Sequence, residues 1–564
     1  MAVRHVLAKL VPALEWVPGY DRRWLQSDLV AGLTTAAVIL PKSMAYAAMA
    51  GLPVQVGLYT ALVPVAVYAV LGTSRRLSVS TTTTIGILTA AEIASVAPDG
   101  NAVQAMMAAS TLAVMVGLVL VLASALRLGF LANFISDPVL TGFKAGVGVV
   151  IVVDQVPRLL GIHFQKGGFF ENVFSIVRHS PETSLITLAV ATGTLAVMVL
   201  LPRLLPRIPA PLIAVAAGIG ASGLMGLAAS GVEVVGAIPT GLPGLVLPDH
   251  SLFARMWPAA LGIALMSFTE SIAAGRAFAR TGEGRPRANQ ELFATGLANA
   301  AGGFFGGMPG GGGTSQTAVN TRAGACSQMA GIVTAASTVA VLLFLAPLIS
   351  LMPQATLAAV VIATSVGLIS LTDFAAIKRI RRAEFRWAAA AMAGVILVGT
   401  LPGILAAVIL SLANLISQAN DPPVYEVRRK RGTDVYRART SEHEDDESFP
   451  GLLILRTEGR IYFGNAQRIA DKMAPILREA QPGVVLLDCG AVPDIEFTAL
   501  KMLVEAEERL RGAGTQLWLA RLNPAALDVV QRSPLGPLLG RERMFFNVHQ
   551  AVEKYLSSRA PAVS

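Results

Sequence analysis

Cysteine is almost missing from this chain. Cys326 and Cys489 are its two copies in 564 residues, so no disulfide framework exists and both read as buried thiols. Charge is scarce as well: 14% of residues are Asp, Glu, Lys or Arg, against about 25% in soluble domains. The chain shows no metal-ligand spacing, no Ser–His–Asp set and no cofactor motif. Pro309-Gly-Gly-Gly-Gly313 lacks the lysine of a phosphate loop. These shortages exclude a disulfide-knit or disordered chain and speak against an enzyme. Hydrophobic residues, by contrast, make up 54% of the sequence, with 53 Gly and 32 Pro, a composition that points to a polytopic membrane protein.

Apolar stretches recur from Leu29 to Gln418. Clear ones are Ala102–Leu126, Leu185–Leu201, Ile208–Leu227, Trp257–Ala274, Met329–Leu351, Leu357–Leu371 and Leu401–Ile416, most near the roughly 20 residues that cross a bilayer as a helix. Residues 29–420 are therefore assigned to a transmembrane domain. Residues 1–28, with Trp16, Tyr20 and Trp24, read as an amphipathic segment on the membrane surface. Residues 421–449 combine a basic run, Arg428–Arg431, with an acidic one, Glu442–Glu447, and read as a polar linker. From 450 to 564 strands and helices alternate, with strands expected at Leu452–Arg456, Arg460–Phe463, Val484–Cys489 and Gln516–Leu522, a pattern that predicts one compact α/β domain.

The net charge of +9 is a topology signal rather than a nucleic-acid footprint. With Met1 inside and 14 spans, the short inward loops carry fifteen Lys and Arg between Arg75 and Arg386, against four outward: Arg158, Lys166, Arg178 and Arg255. That bias predicts both termini in the cytoplasm and a multi-pass protein of the plasma (inner) membrane.

Two polar stretches interrupt the apolar region: Leu77–Gly86, with Thr81-Thr-Thr83, and Pro309–Asn320, with Gly313-Thr-Ser-Gln316. Glycines followed by Ser and Thr suit a chain that runs extended and then opens a helix whose free amides face a ligand. Such a helix start carries about half a positive charge and holds an anion without a fixed cation. In a 14-span count these are spans three and ten, the third of each half, and paired interruptions of this kind point to a transporter site between inverted repeats. Among ionisable residues in spans, Glu270 is deep enough for a coupling role, and Lys42 follows Pro41 in the first span. Lys144, Asp154 and Glu92 lie closer to span ends and read as interfacial.

The run Ala31–Pro53 (AGLTTAAVILPKSMAYAAMAGLP), followed by Gly57-Leu-Tyr59 and Pro64, resembles the signature of the SulP anion-transporter family. Ser267–Ala279 resembles that family's eighth span, Gly313–Asn320 its tenth, and Gly451–Ser558 the STAS domain that follows. The resemblance implies fourteen spans in two inverted repeats of seven, a core of spans 1–4 and 8–11, a gate of spans 5–7 and 12–14, homodimers and elevator-like movement. It also implies a substrate site built by Lys42, Tyr46, Thr81, Thr82, Thr83, Gly313, Thr314, Ser315 and Gln316, with Glu270 as the ion-coupling residue. Many relatives carry Gln at the position of Lys42, and many animal and plant members carry Arg at that of Gln316. The positive charge of the site is thus expected from span one. In STAS relatives a hydroxyl at the start of the helix after the central strand is phosphorylated. Here the run is Asp494-Ile-Glu-Phe-Thr498, and Thr498 is the one hydroxyl left for regulation.

The resulting expectation is a secondary transporter of a small inorganic oxyanion, sulfate with protons. Sodium-dependent bicarbonate uptake is the alternative, then chloride or other anion exchange, dicarboxylate uptake, and a non-transporting sensor anchored by its membrane part. Expected partners are the anion, a coupling proton or sodium, membrane lipid and a second copy of the chain, with no nucleic acid and no cofactor.

Overall fold

A computed structural model describes residues 11–97, 101–133, 136–164, 167–205, 208–236, 238, 240–279 and 286–559. Residues 1–10 of the N-terminal segment, the loop residues Lys166, Arg207, Arg280 and Arg285, and the tail 560–564 lie outside them. The chain divides into two compact units, Met1–Ser411 and Leu412–Ser564.

Among the described residues a series of fourteen helical segments runs from Leu25 to Ala419, the last of them crossing the boundary at Ser411. The first seven are α1 (Leu25–Met49), α2 (Val54–Leu71), α3 (Thr83–Val96), α4 (Ala102–Ala125), α5 (Asp137–Leu160), α6 (Leu185–Leu204) and α7 (Ala210–Met225). The second seven are α8 (Phe253–Ala277), α9 (Ala288–Phe304), α10 (Thr314–Arg322), α11 (Met329–Ile349), α12 (Gln354–Val366), α13 (Arg382–Val398) and α14 (Thr400–Ala419). Two short helices outside this series, Phe169–His179 and Leu371–Ile380, bury almost nothing. Local chemistry sets several ends. Asn101 accepts from the Val103 and Gln104 amides to open α4, and left-handed Gly161 and Gly226 close α5 and α7.

The packing repeats between halves. α4 lies on α9 as α11 lies on α2, α3 lies on α8 as α10 lies on α1, and α5 lies on α13 as α12 lies on α6. Exchanging the halves maps each contact onto its partner, the signature of a seven-plus-seven inverted repeat. Small residues bring α4 and α9 together: a Cβ on Gly117 would meet the Ala300 amide nitrogen at 2.5 Å, and one on Gly303 the Ser110 carbonyl at 2.6 Å. In lipid, where apolar burial drives little, such close backbone approach supplies the attraction. Spans 1–4 and 8–11 form one body and spans 5–7, 12 and 13 another, to which α14 is joined at Gly403 against Val395 of α13, with α1 packing on α7 and α12 where the two bodies meet.

The second unit is an α/β domain. Its sheet has the order β4-β3-β5-β6-β7-β8, with β3 (Val424–Arg429), β4 (Tyr436–Ala438), β5 (Leu452–Thr457), β6 (Val484–Asp488), β7 (Gln516–Ala520) and β8 (Met544–Phe545). β5 to β8 run parallel and both faces are covered, which is why their residues read as near-continuous apolar runs. Two expectations are corrected here. The stretch 421–449 is not free linker: β3 pairs with β5, β4 pairs with β3, Arg429 of the basic run pairs with Glu447 of the acidic one at 2.6 Å, and Arg437 of β4 pairs with Asp446 at 2.8 Å. Arg460–Phe463 is not a strand: Ile461 makes one isolated bridge to Ile495, and Phe463 turns outward. Cys489 is buried, and burial, then the neighbouring Asp488, pushes its thiol up to about 12. Cys326 is only partly buried.

Candidate functional site

The two interrupted stretches meet. Val79–Ser80 forms β1 and Gly311–Gly312 forms β2, and they pair antiparallel with Val79 opposite Gly312 and Ser80 opposite Gly311. Extended backbone inside a membrane is tolerated only where protein satisfies its polar groups, and here it is satisfied heavily. Ser267 Oγ donates to the Gly310 carbonyl at 2.7 Å, the Gly312 amide donates to Ser271 Oγ at 2.8 Å, and Asn299 both donates to and accepts from Gly310 at 3.0 and 2.8 Å. α8 passes so close that a Cβ on Gly312 would lie 2.7 Å from the Ser271 Cα. Glycine is required there by space.

From this crossing α3 and α10 leave as half-length helices of 14 and 9 residues. Thr82 caps α3, accepting from the Ile85 amide at 3.3 Å. Gly313 precedes α10, and no side chain caps that end. Its first-turn amides therefore present partial positive charge to whatever lies in front.

A cavity of about 640 Å³ lies there, and every expected substrate residue lines it: Lys42, Tyr46, Thr81, Thr82, Thr83, Gly313, Thr314, Ser315 and Gln316, together with Glu270. Lys42 Nζ donates to Ser315 Oγ at 3.2 Å, joining α1 to the start of α10. Thr82 Oγ1 donates to Glu270 Oε2 at 2.8 Å, joining the cap of α3 to α8. Thr83 Oγ1 donates to the Tyr46 hydroxyl at 2.7 Å. Thr81 Oγ1 is buried with no partner among the described residues. Gln316 stands apart from the others. Its amide donates to the Ser78 carbonyl at 2.9 Å and accepts from Ser80 Oγ at 3.2 Å, so an anion would have to compete with the β1 segment for it.

Several lining residues were not among those expected. Thr141 and Lys144 enter from α5, Thr364 from α12, Arg322 from the last position of α10, and Ser370 and Asp373 from the start of the short helix Leu371–Ile380. Lys144 was read as interfacial; the structure places it in the cavity wall, because the rotation of α5 cannot be read from one span alone. The other two interfacial residues fare differently: Asp154 accepts from Asn172 Nδ2 at 3.2 Å, while Glu92 is buried in α3. The cavity reaches Phe278, Arg322 and Ser370, at the ends of α8, α10 and α12. Toward the opposite end of the unit, Arg158 of α5 donates from Nη1 to the Ala48 carbonyl at the last turn of α1, at 2.7 Å, holding the two bodies together there.

Sequence reading also passed over two buried carboxylates that tie neighbouring segments together. Asp28 is fully buried and accepts from the Cys326 amide, the Ser327 amide and the Ser327 hydroxyl. Glu291, also fully buried, accepts from Tyr68 at 2.7 Å and from the Thr73 amide at 2.8 Å. Both carboxylates receive several donors, the arrangement that makes a buried charge bearable.

In the α/β unit Thr498 is exposed at the second position of α16 (Phe497–Gly512), the helix after β6; α15 is Ala466–Ala480. Asp488 ends β6, accepts from the Gly490 amide at 3.0 Å and pairs with Arg456 at 2.5 Å, a structural brace. Among the described residues no cluster of His, Cys, Asp and Glu is arranged to hold a metal.

Residues 25–391 match the sulfate permease family, and residues 445–551 match the STAS domain. A Mycobacterium tuberculosis protein named a probable sulfate transporter is 33% identical over 552 residues, covering 96% of this chain and 98% of its own. Human solute carrier family 26 member 6 is 30% identical over 534 residues, covering 90% of this chain and 68% of its own. Among solved structures, SLC26A9 aligns with a TM-score of 0.90 at 22% identity, over 99% of this chain and 94% of that one. The transmembrane domain of a cyanobacterial bicarbonate transporter, BicA, aligns at 0.60 with 25% identity, over 70% of this chain and 98% of its own. The chain thus belongs to the sulfate permease family, multi-pass membrane anion transporters, and carries a STAS domain after its fourteen helical segments.

Proposed function

We propose that this protein is a secondary active transporter of a small inorganic oxyanion, with sulfate as cargo and protons as the coupling ion. The observation that carries the reading is the cavity in front of the uncapped start of α10, where Lys42 reaches Ser315 and the Thr81–Thr83 hydroxyls lie opposite. Amide and hydroxyl donors beside separately placed cations suit a dianion that must be released again, whereas a close cage of arginines would retain it. The sulfate transporter names of the relatives favour the same cargo.

Glu270 is the coupling group in this reading. Its carboxylate receives the Thr82 hydroxyl at the very cap of α3, so a change in its protonation is felt by the helix start that faces the anion. Transport then proceeds by an elevator movement of the spans 1–4 and 8–11 body against the other, in a homodimer with both termini in the cytoplasm. Residues 421–449 join the sheet and belong with the STAS domain, and Thr498 is its candidate regulatory hydroxyl.

Sodium-coupled bicarbonate uptake is the second reading. A carboxylate beside a threonine hydroxyl is also a hard-oxygen set suited to sodium, and a bicarbonate transporter shares the fold. The test is uptake of labelled sulfate, bicarbonate and fumarate into proteoliposomes under imposed pH or sodium gradients. Sulfate accumulation driven by protons supports the proposal. Accumulation of bicarbonate driven by sodium replaces it, and no flux of any anion returns the protein to a sensor role.

A further inference from the structure

We infer that Lys144 of α5 is a second cationic contact for the transported anion, and that it gives doubly charged oxyanions their advantage over singly charged ones. This rests on the anion-transport reading above. Lys42 sits on the body formed by spans 1–4 and 8–11; Lys144 sits on the other body, across the same cavity.

Lys144 is seven residues into α5, about 10 Å along the helix at 1.5 Å per residue. An ammonium at that depth needs a partner, a water-filled space or a ligand. Among the described residues it has no hydrogen bond and no ion pair, yet it lines the 640 Å³ cavity. Its placement is enforced by the packing of α5. A Cβ on Gly142 would meet the Ala388 carbonyl oxygen at 1.9 Å, and one on Gly146 the Met392 carbonyl oxygen at 2.8 Å. These glycines, four apart, press one side of α5 onto α13. Thr141 and Lys144, three apart, share another side, and both reach the cavity. Turning Lys144 away would part the close backbone contacts at Gly142 and Gly146.

The charges sharing the cavity are Lys42, Lys144 and Arg322 against Glu270 and Asp373. Two ammonium groups and a guanidinium there outnumber the carboxylates by one, and by two when Glu270 is protonated. A divalent guest gains about twice as much from each added cation as a monovalent one, by Coulomb's law. Because the two lysines belong to different bodies, their joint grip exists only while those bodies stand as they do here.

The test is equilibrium binding of radiolabelled sulfate to the full-length protein in proteoliposomes, with nitrate as monovalent competitor. K144Q is expected to lose at least tenfold in sulfate affinity while nitrate affinity falls by about the square root of that factor, roughly threefold for a tenfold loss, and K144R is expected to recover most of the loss. Lys144→Cys in a Cys326→Ser background separates charge from folding. Modification with 2-aminoethyl methanethiosulfonate restores an ammonium and should restore sulfate preference, and methyl methanethiosulfonate should not. Sulfate affinity and preference unchanged in K144Q, or restored equally by both reagents, would overturn the inference. A wild-type protein that binds no oxyanion overturns the transport reading instead.

Discussion

The Lys42 ammonium stands 3.2 Å from the Ser315 hydroxyl, although 273 positions of chain separate them. Span one thus delivers a cation to the start of span ten, where Gln316 is occupied elsewhere. Lys42→Gln should weaken sulfate binding at least tenfold, about 1.4 kcal/mol, with a smaller loss for Ser315→Ala. Binding isotherms in detergent or liposomes check this, and an unchanged affinity in Lys42→Gln would remove Lys42 from the site.

Glu270 and Thr82 share a hydrogen bond of 2.8 Å. With Glu270 as the coupling group proposed above, uptake should rise as external pH falls, since the protonated carboxyl would then accompany the anion inward. Glu270→Gln, locked in the neutral form, should flatten that dependence. A variant that still accumulates sulfate with the normal pH response rules the role out. Thr82→Ala removes the cap of α3 and should cost about 1 kcal/mol of helix stability, read as a lower melting temperature.

Gly312→Ala tests the crossing itself. The new methyl would lie 2.7 Å from the Ser271 Cα and 2.8 Å from Leu77 Cδ1, and the backbone partner cannot step aside. Overpacking of this kind costs typically about 1–3 kcal/mol, so the variant should melt earlier and lose transport together. Normal melting with normal flux would mean that α8 is not held against β2 as described.

In the STAS unit, burial opposes ionisation of Glu426, but hydrogen bonds from Arg428 at 2.7 Å and Arg439 at 2.9 Å outweigh it and hold the carboxyl below its ordinary 4.5. A carboxyl held low contributes stability above its unfolded value and loses it as pH falls through the folded one. Amide protection in β3 should therefore persist through pH 4.5 and decline in more acidic solution. Arg439→Gln should move that decline toward higher pH; identical profiles in both proteins would deny the pair any role.

Much of this was legible in the amino-acid sequence, for physical reasons. Thr81-Thr-Thr83 and Gly313-Thr-Ser-Gln316 are conspicuous because polar, glycine-rich backbone is intolerable in lipid unless something satisfies it. Lys144 escaped because its significance depends on which way α5 faces, and that is decided by Gly142 and Gly146 meeting carbonyls of a helix more than 240 residues later. The bonds of Gln316 were hidden for a related reason: its type suits an anion, but only the fold shows that Ser78 and Ser80 already engage its amide. The charge runs at 428–431 and 442–447 looked like solvated linker because a one-dimensional pattern does not reveal that Arg429 and Glu447 will sit on neighbouring backbone.

The antiparallel pairing of Val79–Ser80 with Gly311–Gly312 uses main-chain atoms alone. It is braced by Ser267, Ser271 and Asn299, none of them among the expected substrate residues. In the transport reading proposed above, the side chains at Lys42, Lys144 and Thr314–Ser315 can change while the scaffold on which they hang stays as it is, which leaves one architecture free to serve many solutes.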